Sequence, residues 1–298
     1  MLRIISTLNT GGNRLCVILI VIWTAAWSLS ARAQTAASAD EIESDIFAFQ
    51  DYFLSRFPGM ELADFSQGVA GLPQYRHRLK SREMILAIPP YEHLLKAARS
   101  GWSLNLHGGE SLSDCMSNHP PANEFPYHDG QAIITVTAAV NRCLRDNGRD
   151  ALDAASAEMA GYVAVFREQA NGRAMQLDYF SSGIREAYTT GRQFFWARRG
   201  QQNQSCASCH INNAGNRIRD DILSAALGLG IGFPAFSLTQ SMSGEQPRLR
   251  TLHQQYSACM ERSGAQPLSP QSDAYLSLEV YQGIMNTGVP LRAPMILW

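Results

Sequence analysis

Five residues constrain this chain more than any other feature: Cys206-Ala207-Ser208-Cys209-His210. The frame C-x-x-C-H is the attachment sequence of c-type haem. Two thiols at this spacing add to the vinyl groups along one porphyrin edge, and the next side chain falls beneath the iron as proximal ligand. A zinc site would want a second ligand pair, and a redox dithiol does not require the adjoining histidine. The expectation is one covalent haem c, with Cys206 and Cys209 as thioethers and His210 on the iron.

The chain opens like an exported protein. Arg3 and Arg14 supply a positive start, Leu15 to Leu29 is apolar apart from Thr24 and Ser28, and Ala31-Arg32-Ala33 forms an A-x-A cleavage site. The competing reading is an uncleaved membrane anchor. Residues 1–33 read as a signal peptide, cleaved after Ala33 and leading to the periplasm, where c-type haem is attached. Cleavage takes away three arginines and no acid, so the net charge moves from −1 to −4. That balance argues against a nucleic-acid partner. With 45% apolar residues in 298, the chain has enough to bury a full core.

Periodicity makes the rest mainly α. Met159, Tyr162, Val163 and Phe166 share one helical face, as do Leu276, Val280, Tyr281 and Ile284 after a Ser272–Asp273 start. An apolar stretch around Leu94–Ala98 ends before Gly101, and Ala132 to Val136 is the best strand candidate. A weak repeat is visible: Gly101 precedes Cys115 by 14 residues and Gly191 precedes Cys206 by 15, with Trp102 and Trp196 between. This predicts a tandem duplication of one helical unit, residues 44–150 and 151–298, divided near Asn147–Asp153.

Cys115-Met116-Ser117-Asn118-His119 repeats the haem frame without its second cysteine. It suits either a haem held by one thioether or a lost haem site whose cysteine pairs with Cys143. On the second reading His119 is a surface or loop histidine. A Cys115–Cys143 bridge would stabilise by ~3 kcal/mol through loop closure. Cys259 is then left over, an odd thiol in an oxidising compartment. It is one candidate for the second axial position on the iron, beside Met242, Met260, Met285, Met295 and His253.

Over nearly the whole mature length the chain resembles the SoxA family, the A subunits of thiosulfate-oxidising Sox cytochromes. The resemblance rests on Cys206-Ala207-Ser208-Cys209-His210, Phe233-Pro234-Ala235-Phe236, and Leu249-Arg250-Thr251-Leu252-His253 leading to Cys259. It continues through Ala265-Gln266-Pro267, the Ser272 to Tyr281 segment and Asn286-x-Gly288. It implies two tandem cytochrome c-like domains, the first haemless and disulfide-bonded, the second carrying one haem. It also implies that Cys259 ligates the iron and serves as the active cysteine, found in the family as a persulfide. The implied reaction couples thiosulfate oxidatively to a cysteine of a SoxYZ-type carrier. A SoxX-like small cytochrome and a soluble acceptor cytochrome would be the electron partners.

The chain departs from the family around that cysteine. Gln255 stands where the family has the arginine thought to hold the anionic substrate; Ser263-Gly264 replaces a Val-Arg pair, and Ser237 an arginine. A glutamine amide lacks the charged fork with which arginine binds oxyanions, a difference of about 1.5–3 kcal/mol for a charged hydrogen bond. Arg248 and Arg250 are the nearby candidates to compensate. Two rival readings keep the haem and change the chemistry: a monohaem electron carrier or haem sensor, and a thiosulfate dehydrogenase that joins two thiosulfates.

Overall fold

Hydroxyl caps mark where the helices start. α1 (Ala39–Arg56) begins after Ser38, whose side chain accepts the Glu41 N–H while the Glu41 carboxylate takes the Ser38 N–H. The same box, from Ser111 and Asp114, opens α5 (Leu112–Met116). Thr135, Ser156 and Ser181 cap α6 (Val136–Asp146), α7 (Ala157–Glu168) and α8 (Ser182–Trp196). Thr251 and Gln254 box the start of α9 (Leu252–Arg262). Each cap satisfies an otherwise orphaned N–H and is worth about 1 kcal/mol. α2 (Leu62–Phe65), α3 (His77–Ala87), α4 (Glu92–Trp102) and α10 (Asp273–Met285) lack such a side-chain bond from a Ser or Thr cap.

The computed structural model describes residues 35–218, 221–238 and 248–297, which form one compact, helix-rich unit. The leader at 1–33 and Met242 lie outside the described residues. No helix among the described residues is long and apolar enough to cross a membrane.

The glycines that mark the sequence repeat both sit where two helices touch. A β-carbon at Gly101 of α4 would stand 2.4 Å from the Tyr162 hydroxyl of α7. One at Gly191 of α8 would stand 1.9 Å from the Ser277 carbonyl oxygen of α10. At Gly191 the facing atoms are backbone and exclude any side chain, while at Gly101 the space is filled by the Tyr162 side chain. α4 therefore runs through Gly101 to Trp102 rather than ending before it, because the glycine serves the crossing and not a stop. α7 is buried on every side from Met159 to Arg167. It packs against Trp102 and Phe125 through Phe166, at centroid distances of 6.0 and 5.6 Å.

The expected strand at 132–136 is shorter. Ile133–Ile134 (β2) pairs antiparallel with Tyr127–His128 (β1), and Thr135 already caps α6. A second hairpin joins β3 (Arg217–Ile218) to β4 (Asp221–Ile222). The larger sheet has β5 (Ala235–Ser237) in the middle, antiparallel to β6 (Leu249–Arg250) and parallel to β7 (Met295–Leu297). β6 runs directly into the cap of α9, so the sheet sets where that helix begins.

α1 comes early in the chain but packs on its later part. Asp45 accepts from the Tyr188 hydroxyl at 2.7 Å and pairs with Arg192 at 2.8 Å. Gln50 donates to the Thr287 carbonyl at 2.7 Å. Arg56 donates to the carbonyls of Ile211, Asn212 and Ala214, the last two at 3.1 Å, and so pins the turn that follows His210.

Candidate functional site

Cys206, Cys209 and His210 lie at the start of a tight helical turn whose residues Ser208–Asn212 have the wide π form. Local chemistry holds it. Ser205 and Ser208 cap one another, each hydroxyl accepting the other's N–H at 3.0 and 3.2 Å. The His210 carbonyl accepts from Ala226 at 2.7 Å. The His210 ring is tied as well, Nδ1 lying 3.0 Å from the Ser224 carbonyl. That bond requires a proton on Nδ1 and leaves the Nε2 lone pair for a metal, the arrangement found in haem-ligating imidazoles. Burial lowers the His210 pKa and keeps the ring neutral. The donor set thus fits a haem c: two free thiols in one frame and a neutral, oriented imidazole. Among the described residues there is no cluster of three or more His, Cys, Asp and Glu side chains suited to a bare metal ion.

Cys259 lies in the second half of α9 and is half-buried. The fold brings it near enough to Cys206 and Cys209 for the three thiols to feel one another's charge. Burial, with Cys259 and Cys209 adding to it, pushes the Cys206 thiol up to about 12, against the pull of Arg199. Burial also raises Cys259, while Arg262, the Gln255 hydrogen bond and Arg250 act the other way.

A short chain of hydrogen bonds reaches the Cys259 sulfur. Arg250, at the end of β6, donates from Nη1 to Gln255 Oε1 at 3.0 Å, and Gln255 donates from Nε2 to Cys259 Sγ at 3.6 Å. Gln255 and Cys259 are four residues apart and so share a helix face. Arg248 is exposed.

Among the described residues, the other candidates for the iron have other contacts. Met285 is buried in the main core, and Met295 packs with Phe233 and Ala235. Met260 Sδ lies 3.9 Å from Arg199 Nη1. His253 accepts the Gln271 backbone N–H on Nδ1 at 2.9 Å and faces Glu279 at 3.0 Å with Nε2.

Sequence reasoning passed over two cations here. Arg262 pairs with Asp221 at 2.7 Å and acts on Cys259 from three residues further along α9, a spacing that could have flagged it. Arg199 lies with its guanidinium 3.6 Å from the Phe194 ring centroid and acts on Cys206; only the fold puts it there.

The earlier frame is built differently. Cys115 and Cys143 are joined in a disulfide linking α5 to α6, their Cα atoms 5.9 Å apart. His119 is a half-buried loop histidine just after α5. Its Nδ1 is 2.8 Å from the Tyr127 hydroxyl and its Nε2 3.9 Å from Cys143 Sγ, because the bridge draws both against the β1 hairpin.

A helix-rich chain with paired thiols and a carbonyl-anchored neutral imidazole in one turn is a protein of the c-type cytochrome class. No protein-family model matches it. It is 34% identical to the L-cysteine S-thiosulfotransferase subunit SoxA of Chlorobaculum thiosulfatiphilum over 92% of this chain and 94% of that one. Its identity to the subunit of the same name from Allochromatium vinosum is 29%, over 87% and 90% of the two chains. Its fold is similar to a crystal structure of SoxXA from P. pantotrophus, with a TM-score of 0.59 and 25% identity over 68% of this chain and 76% of that one. The chain belongs to the SoxA family and is a transferase subunit of the L-cysteine S-thiosulfotransferase type.

Proposed function

We propose that this chain is the periplasmic, single-haem A subunit of a thiosulfate-oxidising cytochrome, built from two tandem cytochrome c-like units and working with a SoxX-like small cytochrome. The observation that carries the reading is the Arg250–Gln255–Cys259 chain of hydrogen bonds, which ends on a sulfur within electrostatic reach of Cys206 and Cys209. Cys206 and Cys209 would hold the haem by thioethers, and His210 and Cys259 would offer donors to its iron. When bound, the haem supplies a one-electron acceptor next to the Cys259 sulfur.

Thiosulfate approaches Cys259, as thiol or persulfide, with its sulfonate toward Arg250 and the Gln255 amide. Arg250 supplies the positive charge that the amide lacks, and Arg262 adds to the field from the other side. The net reaction forms one S–S bond between the outer sulfur of thiosulfate and the cysteine of a SoxYZ-type carrier. The carrier thiol loses its proton to solvent, and two electrons leave to a soluble acceptor cytochrome. Gln255 both orients the Cys259 sulfur and meets the incoming anion.

Visible and EPR spectra of the purified protein test the ligand set, with a thiolate rather than a methionine thioether or a second imidazole expected beside His210. Cys259→Ala is expected to abolish thiosulfate-dependent electron output. Unchanged turnover in that variant would reject the catalytic role of Cys259.

A further inference from the structure

α9 carries Cys259, yet its fully buried side chains are His253 and Tyr256, both polar. Gln255, Cys259 and Arg262 lie on a different face, about a third of a turn round the helix axis from the buried pair. Where the helix meets the core there is a cavity of about 30 Å³, lined by Arg167, Thr251, His253, Gln271 and Glu279 together with apolar groups. Tyr256 and Leu252 pack against the hydrophobic core, but such contact fixes the rotation of this helix about its axis only loosely. Hydrophobic contact is non-directional in any case. A rotation of about 20° would swing a sulfur near 5 Å from the axis by about 2 Å.

Directional contacts hold the helix instead. Tyr256 donates its hydroxyl to Gln282 Oε1 of α10 at 2.6 Å. Burial and the nearby Glu279 hold that phenol well above the ordinary tyrosine range, so it remains a donor. His253 Nδ1 accepts the Gln271 backbone N–H at 2.9 Å, and its Nε2 lies 3.0 Å from the Glu279 carboxylate, an ion-pair distance without hydrogen-bond alignment. Arg167 of α7 is wholly buried and lies within the field of Glu279, offsetting its charge. Gln254 donates to the Ala155 carbonyl at 2.8 Å and ties the opposite side. His253, Tyr256 and Tyr275 pack as three rings with centroids 5.3–5.5 Å apart.

We infer that Tyr256–Gln282 and His253–Glu279 are positioning contacts that set the rotation of α9 and thereby aim the Cys259 sulfur. The inference rests on Cys259 being the reactive sulfur and adds what holds it in place. None of these four side chains bonds to Cys259.

The test uses the holoprotein. There Cys259 is the lone free thiol of the described residues once Cys206 and Cys209 are thioethers and Cys115 and Cys143 are bridged. Iodoacetamide labelling followed by intact mass then reads its presentation directly, and EPR reads its place at the iron. Tyr256→Phe keeps the ring stack and removes only the hydroxyl. Gln282→Leu removes the acceptor. Each is expected to speed labelling about tenfold and to weaken the sulfur-ligand EPR signal, with the double variant no faster than either single. Glu279→Gln is expected to act in the same direction. The variant Cys115→Ala/Cys143→Ala lowers stability elsewhere and is expected to label at the wild-type rate. Wild-type labelling in Tyr256→Phe and Gln282→Leu, or equal acceleration in the disulfide variant, would overturn the positioning role. Labelling needs no thiosulfate, so that outcome leaves the coupling reaction to its own test.

Discussion

The two Cys–His frames of this molecule have similar spacing in sequence and are held together by different means. In the earlier frame, Cys115 is bonded to Cys143 and His119 rests against the bridge, so α5 and α6 are cross-linked within the protein's own covalent structure. In the later frame, Cys206, Cys209 and Cys259 are all free thiols, and His210 presents an unused ring nitrogen. The first arrangement is complete as protein alone. The second is a donor set suited to a haem c. A bridge thus serves as scaffold in one frame, while the other keeps its cysteines unbonded to one another.

The largest expected contrast is in haem content. Cys209→Ser should leave at most one thioether, and His210→Ala should remove the oriented imidazole; haem-stained gels and the Soret band are expected to fall sharply in both. Cys115→Ala/Cys143→Ala should leave haem content unchanged. Loss of haem in the disulfide variant would break the comparison.

Next comes stability. Removing the bridge, which spans 28 residues, should cost ~3 kcal/mol in the earlier part of the molecule. Chemical denaturation followed by far-UV circular dichroism would show this, while the haem spectrum in native buffer stays as it was.

A smaller effect should come from charge at the active sulfur. Gln255→Arg is expected to raise kcat/KM for thiosulfate by about tenfold, and Arg250→Gln to lower it by a similar factor, as expected for one charged hydrogen bond. Steady-state kinetics with a carrier and an acceptor cytochrome would decide it, and an unaffected Arg250→Gln variant would remove that residue from the anion's path.

The smallest effect lies in the earlier hairpin. Asp129 accepts the Ala132 N–H, Arg142 and the Gln131 N–H, in that order of weight, and its carboxyl falls from 3.8 to about 2. A depressed carboxyl stabilises fully above its unfolded pKa, and that contribution is lost as pH falls through the folded value. Asp129→Asn should therefore cost well under about 1 kcal/mol near pH 6 for so accessible a pair, with the difference vanishing near pH 2. Urea midpoints across that range would show the convergence.

Several elements were legible because they depend on neighbours in sequence. Ser156 before α7 and the 159–166 apolar face, or Cys206 to His210 within one turn, need no knowledge of the rest of the chain. Others misled for an equally local reason. Gly101 looked like a helix end because glycine is a poor helix former, yet Tyr162 of a later helix occupies the space its side chain would fill. Ala132–Val136 looked like a strand because Ile133, Ile134 and Val136 are β-branched, yet Thr135 turns the chain into α6. The roles of Arg56 and the His253–Glu279 contact had no sequence signature, since the partners of Arg56 are distant backbone carbonyls and Glu279 lies 26 positions after His253.

From its residues alone, then, this chain specifies its helix caps, its helical faces and the ready-made haem attachment turn, because all of these arise from side chains and backbone groups within a few positions of one another. The place of Cys259 beside Cys206 and Cys209, the pinning of the His210 turn by α1, and the polar anchoring of α9 were decided by the tertiary structure. Burial, charge and hydrogen-bond geometry between distant segments exist only once the chain has closed on itself.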